Sequence, residues 1–129
     1  MEKKEKLIEY WLKTSDFDYE AAQILFQGAK FPHALFYLHL SVEKMLKAFY
    51  IKARADHPPK THNLVLIIRE AGLELSEEKL EIMLEINGFN QEARYPDEKM
   101  AFYKKCTREF AADYLEKGRE IRSWLRLKL

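Results

Sequence analysis

Phe36-Tyr37-Leu38-His39-Leu40-Ser41-Val42-Glu43-Lys44-Met45-Leu46-Lys47-Ala48 decides the fold of this 129-residue chain. With Ala34, Leu35, Phe49 and Ile51 on either side, the stretch is apolar on nearly every side of a helical projection. A helix hydrophobic all round is buried on more than one face, so other helices must surround it. It nevertheless carries His39, Glu43, Lys44 and Lys47, and charges in such a place must be paired, bound to something or pushed to an edge.

The punctuation on either side supplies the surrounding helices. Between Lys4 and Phe26, Leu7, Trp11, Thr14, Asp18, Ala21 and Leu25 recur at three and four, an amphipathic face that ends before Gly28. Pro32 suits the first turn of the second helix, which runs to about Arg54 before His57-Pro58-Pro59 breaks it. Thr61 is expected to cap a short third helix through Leu64, Ile67 and Ile68, with Gly72 as its stop. Ser76 opens a fourth helix with acidic residues in its first turn, and Gly88 is expected to close it. Residues 89–97 then read as a loop, and Asp97 as the N-cap of one last long helix reaching Trp124. No period-two run or hairpin dipeptide suggests a strand. The expectation is an all-α, antiparallel four-helix up-and-down bundle with an additional short helix, one domain over residues 1–129.

Composition narrows the function classes. The 22 basic and 21 acidic residues nearly cancel, so no global field points to DNA, RNA or an anionic membrane. A single cysteine, Cys106, excludes an intrachain disulfide and suggests a reducing compartment; it reads as an ordinary helical thiol among Lys104, Lys105 and Arg108. The N-terminus lacks the apolar core of a signal peptide and no apolar run approaches the ~20 residues that span a bilayer, so a cytoplasmic location without membrane contact is expected. A di-iron bundle needs Glu-x-x-His pairs, but Lys30, Phe36, Arg54 and Pro59 stand three before the four histidines. Phosphate-loop, dinucleotide, metalloprotease and nucleophile-elbow motifs are missing too, and neither a metal nor a cofactor is called for. DNA-specific reading is disfavoured because the third helix offers only Arg69 as a long basic reader.

Four separated segments become specific when read together: Ser15-Asp16-Phe17-Asp18-Tyr19-Glu20-Ala21-Ala22, then His39-Leu40-Ser41-Val42-Glu43-Lys44-Met45-Leu46-Lys47-Ala48 after Ala34-Leu35-Phe36, then Lys60-Thr61-His62-Asn63-Leu64, and Ala93-Arg94-Tyr95-Pro96. Their order and spacing resemble the HEPN family, named for nucleotide-binding domains of higher eukaryotes and prokaryotes, over about residues 5–125. The resemblance implies a helical bundle that usually dimerises, often paired with a minimal nucleotidyltransferase and often part of toxin-antitoxin or defence systems. It also implies, in the catalytic branch, a metal-independent ribonuclease motif Arg-x4-6-His. Here Arg54 precedes His57 by two intervening residues and His62 by seven, and no histidine follows Arg69 or Arg94, so that motif is missing.

Candidate site residues follow from both readings. Glu43 is four residues from His39 and from Lys47, so the three can meet on one helical face. Asp18, His39, Glu43 and Lys47 would converge between the first two helices, with Arg94 and Tyr95 arriving from the loop, as a polar pocket or as a buried network that fixes helix register. Arg94 is expected to clamp a phosphate or to pair with Asp18 or Glu43. His62, behind Lys60 and Thr61 at a helix start, is placed to hold an anion or to orient its loop. Phe36, Tyr37, Phe49 and Tyr50 read as core and interface, and the apolar surface of the second helix suggests a homodimer with that helix near the contact. Two classes remain open. One is a non-catalytic binding and assembly module that holds a nucleotide or RNA, with a nucleotidyltransferase partner, or serves purely as a homodimerisation module. The other is an atypical ribonuclease that uses Arg94 with His62 or His39.

Overall fold

A computed structural model describes residues 2–129, which form six helices: α1 (Glu2–Gln27), α2 (Phe31–Arg54), α3 (Leu64–Ala71), α4 (Glu77–Arg94), α5 (Ala101–Lys105) and α6 (Arg108–Arg126). Among the described residues, no helix is long and apolar enough to cross a membrane. α2 is the hub and touches each of the other five helices. Its Leu35, Leu38, Val42, Met45 and Leu46 are fully buried, each contributing about 1.5–3 kcal/mol over an exposed position. The all-round apolarity of this helix has its cause there: α1 covers one side, and α4, α6 and α3 cover the others.

Turns are made where left-handed residues stop the helices. At the end of α1, Lys30 N donates to Leu25 O across Ala29, which takes φ 60°, so an alanine rather than Gly28 occupies the left-handed position. α3 ends on Gly72 at φ 70°, with Leu73 N donating to Ile68 O. The cap of α3 is Asn63 rather than Thr61: the Asn63 side chain accepts from Val65 N and Leu66 N, while Thr61 Oγ1 accepts from Asn63 N. The asparagine amide reaches the helix amides directly, and threonine shapes the turn before it.

Two boundaries differ from expectation. α4 starts at its Ser76 cap but runs through Gly88 to Arg94, so residues 89–94 are helix and not loop. Continuing the helix buries Phe89 and Ala93, with the Phe89 ring 5.3 Å from that of Tyr114 and 5.7 Å from that of Phe102. That burial outweighs the ~1 kcal/mol propensity cost of a helical glycine, and Pro96 is what ends the helix. Beyond it the single last helix is two. Asp97 Oδ1 accepts from Ala101 N at the start of α5, and Thr107 Oγ1 accepts from Phe110 N at the start of α6. Cys106 therefore lies at the junction between them, buried, instead of inside a helix. The additional short helices are accordingly α3 and α5, beside the four long ones.

The stripe expected to face inward on α1 lies on one shoulder of it. Leu7, Trp11, Thr14, Asp18, Ala21 and Leu25 are half-buried, and the line at the centre of the contact passes through Ser15 and Ala22. Small residues let α1 approach α2 closely, and a pair of serines uses that approach. Ser15 Oγ donates to Ser41 O at 2.6 Å, and Ser41 Oγ donates back to Ser15 O at 3.0 Å.

Candidate functional site

Glu43 is the centre of the polar cluster. Glu43 lies seven residues beyond Phe36 on α2, and its almost fully buried carboxylate is reached from α2 itself and from the end of the 55–63 loop. Oε2 accepts from Lys47 Nζ at 3.0 Å, one helical turn on. Oε1 accepts from His39 Nε2 at 3.3 Å and from His62 Nδ1 at 2.9 Å. The second ring nitrogen of His39 lies 3.0 Å from the carbonyl oxygen of Ile86 in α4, so both of its nitrogens face oxygen atoms of neighbouring groups. Burial pushes the Glu43 carboxyl upward, but the hydrogen bonds from His39, His62 and Lys47 together overcome it and hold it at about 2.

His62 is held from two directions. Asn87 Oδ1 in α4 accepts from Leu64 N at 2.8 Å, and Asn87 Nδ2 donates to Asn63 Oδ1 at 3.3 Å, which pins the loop end against α4. The His62 ring is 57 % exposed while the carboxylate it donates to is 4 % exposed. With the proton on Nδ1, the Nε2 lone pair points away from Glu43, on the exposed side of the ring. A histidine oriented by a buried carboxylate, with its other nitrogen open, is equipped to accept a proton or, when protonated, to bind an anion.

Beyond Lys47 the cluster opens into a groove of about 570 Å³ between α1, the end of α2 and the loop. The Lys47 ammonium sits 5.2 Å from the centre of the Trp11 ring. Pro58, Pro59 and the exposed Lys60 form the opposite wall.

The expected residues thus fall into three places. His39, Glu43, Lys47 and His62 come together, and Lys60 borders the same groove. Asp18 does not join them. Its Oδ2 is 2.6 Å from Lys44 Nζ, on the side of α2 that faces α1. Arg94 pairs with neither Asp18 nor Glu43; it is exposed, donates from Nε to Asn90 O at 3.3 Å, and lies over the rings of Phe36 and Tyr95, 5.8 Å and 5.3 Å from their centres. Phe36 precedes Glu43 by about 10 Å along α2, so Arg94 and His62 occupy separate stations on one face. Tyr95 is exposed and serves as the platform under Arg94.

Sequence reasoning missed Trp11, Asn63 and Asn87 as site residues. Trp11 reads only as part of an apolar stripe, and the two asparagines carry no periodic signal; the rank of asparagine among helix caps is the one available hint for Asn63. Also missed is Asp16, whose Oδ1 receives both Arg122 and Arg126 of α6 and ties that helix to α1.

An all-α bundle of four long and two short helices around a central α2, with a buried carboxylate joined to two histidines, defines a small helical-bundle domain. The chain belongs to the HEPN family: the family model, described as the HEPN domain, matches residues 8–128. Its fold is similar to that of TT1696 from Thermus thermophilus, with a TM-score of 0.78 and 18 % identity over 95 % of this chain and 98 % of that one. No curated protein matches the sequence.

Proposed function

We propose that this HEPN domain is a binding module that holds the phosphate-bearing part of a nucleotide or RNA at the His62–Lys60 end of the bundle. In this reading it performs no chemistry of its own and acts beside a minimal nucleotidyltransferase partner, in a toxin-antitoxin-like or other nucleotide-related system. The observation that carries it is the groove beside Lys47, with a Trp11 face for a base and exposed Lys60 for a phosphate, together with His62, two residues on from Lys60 and fixed by Glu43. Lys3, Lys4 and His57 border the adjoining hollow and extend the basic edge. The missing Arg-x4-6-His motif and the distance between the Arg94 and His62 stations argue against catalysis within one subunit.

One observation favours a second reading. The Glu43–His62 pair has the form of an oriented general base, which an atypical ribonuclease would use with an arginine brought from elsewhere. A single experiment separates the two. Titrating the protein with a nucleoside triphosphate and with short single-stranded RNA, following tryptophan fluorescence and the integrity of the RNA, is expected to show saturable binding and intact RNA. Lys60→Ala and His62→Ala are each expected to weaken binding roughly tenfold. Unaltered fluorescence with both ligands sinks the binding reading; RNA cleavage lost in both His62→Ala and Arg94→Ala establishes the enzyme.

A further inference from the structure

The two nitrogens of the His62 ring are in opposite situations. Nδ1 is 2.9 Å from Oε1 of the enclosed Glu43 carboxylate, and the rest of the ring faces outward. His39 Nε2 and Lys47 Nζ bond the same carboxylate at 3.3 Å and 3.0 Å, and together these contacts hold its carboxyl down at about 2. Glu43 is therefore an anion throughout the range in which imidazoles change charge, about pH 5–8. That anion keeps a proton on Nδ1 whether the ring is neutral or charged, so a second proton goes to Nε2 on the open side and the anchor holds. The rest of the support does not titrate either: Asn87 takes Leu64 N at 2.8 Å and reaches Asn63 Oδ1 at 3.3 Å.

We infer that His62 is a proton-gated receptor for the ligand's phosphate: the ring takes a phosphate oxygen on Nε2 when that nitrogen is protonated, so ligand binding and proton uptake are one coupled event. The inference rests on the reading that a phosphate lies at the His62–Lys60 end, and it adds how that site is regulated. Neutral His62 turns a lone pair toward the open side, which repels a phosphate oxygen; the imidazolium turns an N–H and a full charge there. One fixed atom thus changes from acceptor to donor, with no movement of the loop. Among the groups that face the ring, Glu43 on α2 favours the second proton and Lys47 opposes it, while the enclosed His39 shares the Glu43 oxygen. α4 contributes the neutral Asn87, and α3 opens with the uncharged Leu64, Val65 and Leu66. The loop itself contributes Lys60 and His57, two and five residues earlier and both exposed. By linkage, a phosphate beside Nε2 draws a proton onto the ring as strongly as the proton draws in the phosphate.

The probe is an oligouridylate with hydroxyl groups at both ends, because neither its phosphodiesters nor its bases change charge between about pH 5.5 and pH 8. Its dissociation constant from the full chain, followed by tryptophan fluorescence, is expected to fall roughly fivefold from pH 8 to pH 5.5. Calorimetry at about pH 6.5 in two buffers of different ionisation heat is expected to show uptake of a fraction of one proton per ligand bound. His62→Gln can still donate to Glu43 but cannot titrate, so it is expected to bind with the alkaline affinity of the wild type at every pH, without proton uptake. His57→Gln, which removes the other exposed histidine beside the groove, is expected to keep most of both effects. A wild-type affinity that stays level across the range overturns the inference and leaves the binding reading standing. So does a pH dependence that survives in His62→Gln or vanishes in His57→Gln. Absence of binding at every pH defeats the binding reading itself, and the inference with it.

Discussion

His62 Nδ1 donates to Glu43 Oε1 over 2.9 Å, so a histidine on an exposed loop is anchored to one of the best-buried carboxylates of the bundle, 19 residues earlier in the chain. The same carboxylate satisfies Lys47, itself 8 % exposed, and His39, which is fully enclosed. One anion thus neutralises a buried lysine, orients an inner histidine toward α4 and fixes the outer one at the end of the 55–63 loop.

Removing that anion is costly because its partners stay behind. Glu43→Gln keeps the shape but strands the Lys47 ammonium, and breaking a buried pair in this way costs about 3–5 kcal/mol. His62→Ala, at the exposed end, costs under about 1 kcal/mol. The folded carboxyl is held at about 2 against an ordinary 4.5, so its contribution is fully present above pH 4.5 and fades as pH falls toward 2. Urea unfolding from pH 7 to pH 2.5 is expected to show a wide gap between wild type and Glu43→Gln that closes in acid. A gap of constant width contradicts the assignment.

The serine clasp between α1 and α2 makes a different demand. Ser15 and Ser41 are completely buried and bond to each other's carbonyl, with the two hydroxyl oxygens 3.2 Å apart. Ser41→Ala removes one donor and leaves no charge unpaired, so it is expected to cost about 1 kcal/mol. Ser41→Val adds volume where the helices are closest and is expected to cost about 1–3 kcal/mol on top of that. Equal midpoints for the two variants in chemical denaturation would mean that the helices are not held at this distance.

How far the sequence revealed these features depended on whether each was local. The burial of α2 is legible because it is written in consecutive residues, and Pro32, Gly72 and Ser76 mark helix ends by chemistry that acts within one turn. Gly88 misleads because a glycine signals a stop only when the backbone turns left-handed, and here the energy of burying Phe89 beyond it decides. Glu43 with Lys47 is readable from helical spacing, whereas the arrival of His62 depends on the path of a proline-containing loop and on Asn87, and no spacing encodes that. Charge alone assigns Arg94 a carboxylate; in the structure the aromatic rings of Phe36 and Tyr95 hold it instead.

Cys106 offers a check on the junction between α5 and α6. Burial pushes its thiol up to about 12, with Glu92 adding to the effect, so almost no thiolate exists near neutrality. In native protein a disulfide reagent at pH 8 is expected to react orders of magnitude more slowly than in urea. Rapid labelling of the folded chain would place the cysteine on the surface, as a continuous last helix with an outward thiol would do.

Two helical glycines make opposite predictions from the same substitution. At Gly88 an added Cβ meets only the carboxylate end of Glu92, at 2.6 Å from Oε1, and that side chain can swing away. Gly88→Ala should therefore recover the entropy that glycine loses in a helix and stabilise the protein by about 0.5–1 kcal/mol. At Gly118 the added Cβ overlaps Leu38 Cδ1 and lies 3.1 Å from Cγ and Cδ2. Leu38 is fully buried on α2 and has nowhere to move, so α6 must back away from the hub. Gly118→Ala is expected to lose about 1–3 kcal/mol to overpacking, more than the propensity gain returns. Thermal unfolding of the two variants should thus shift in opposite directions. A rise in both would mean that α6 does not approach α2 at Gly118, and a fall in both that α4 turns at Gly88 after all.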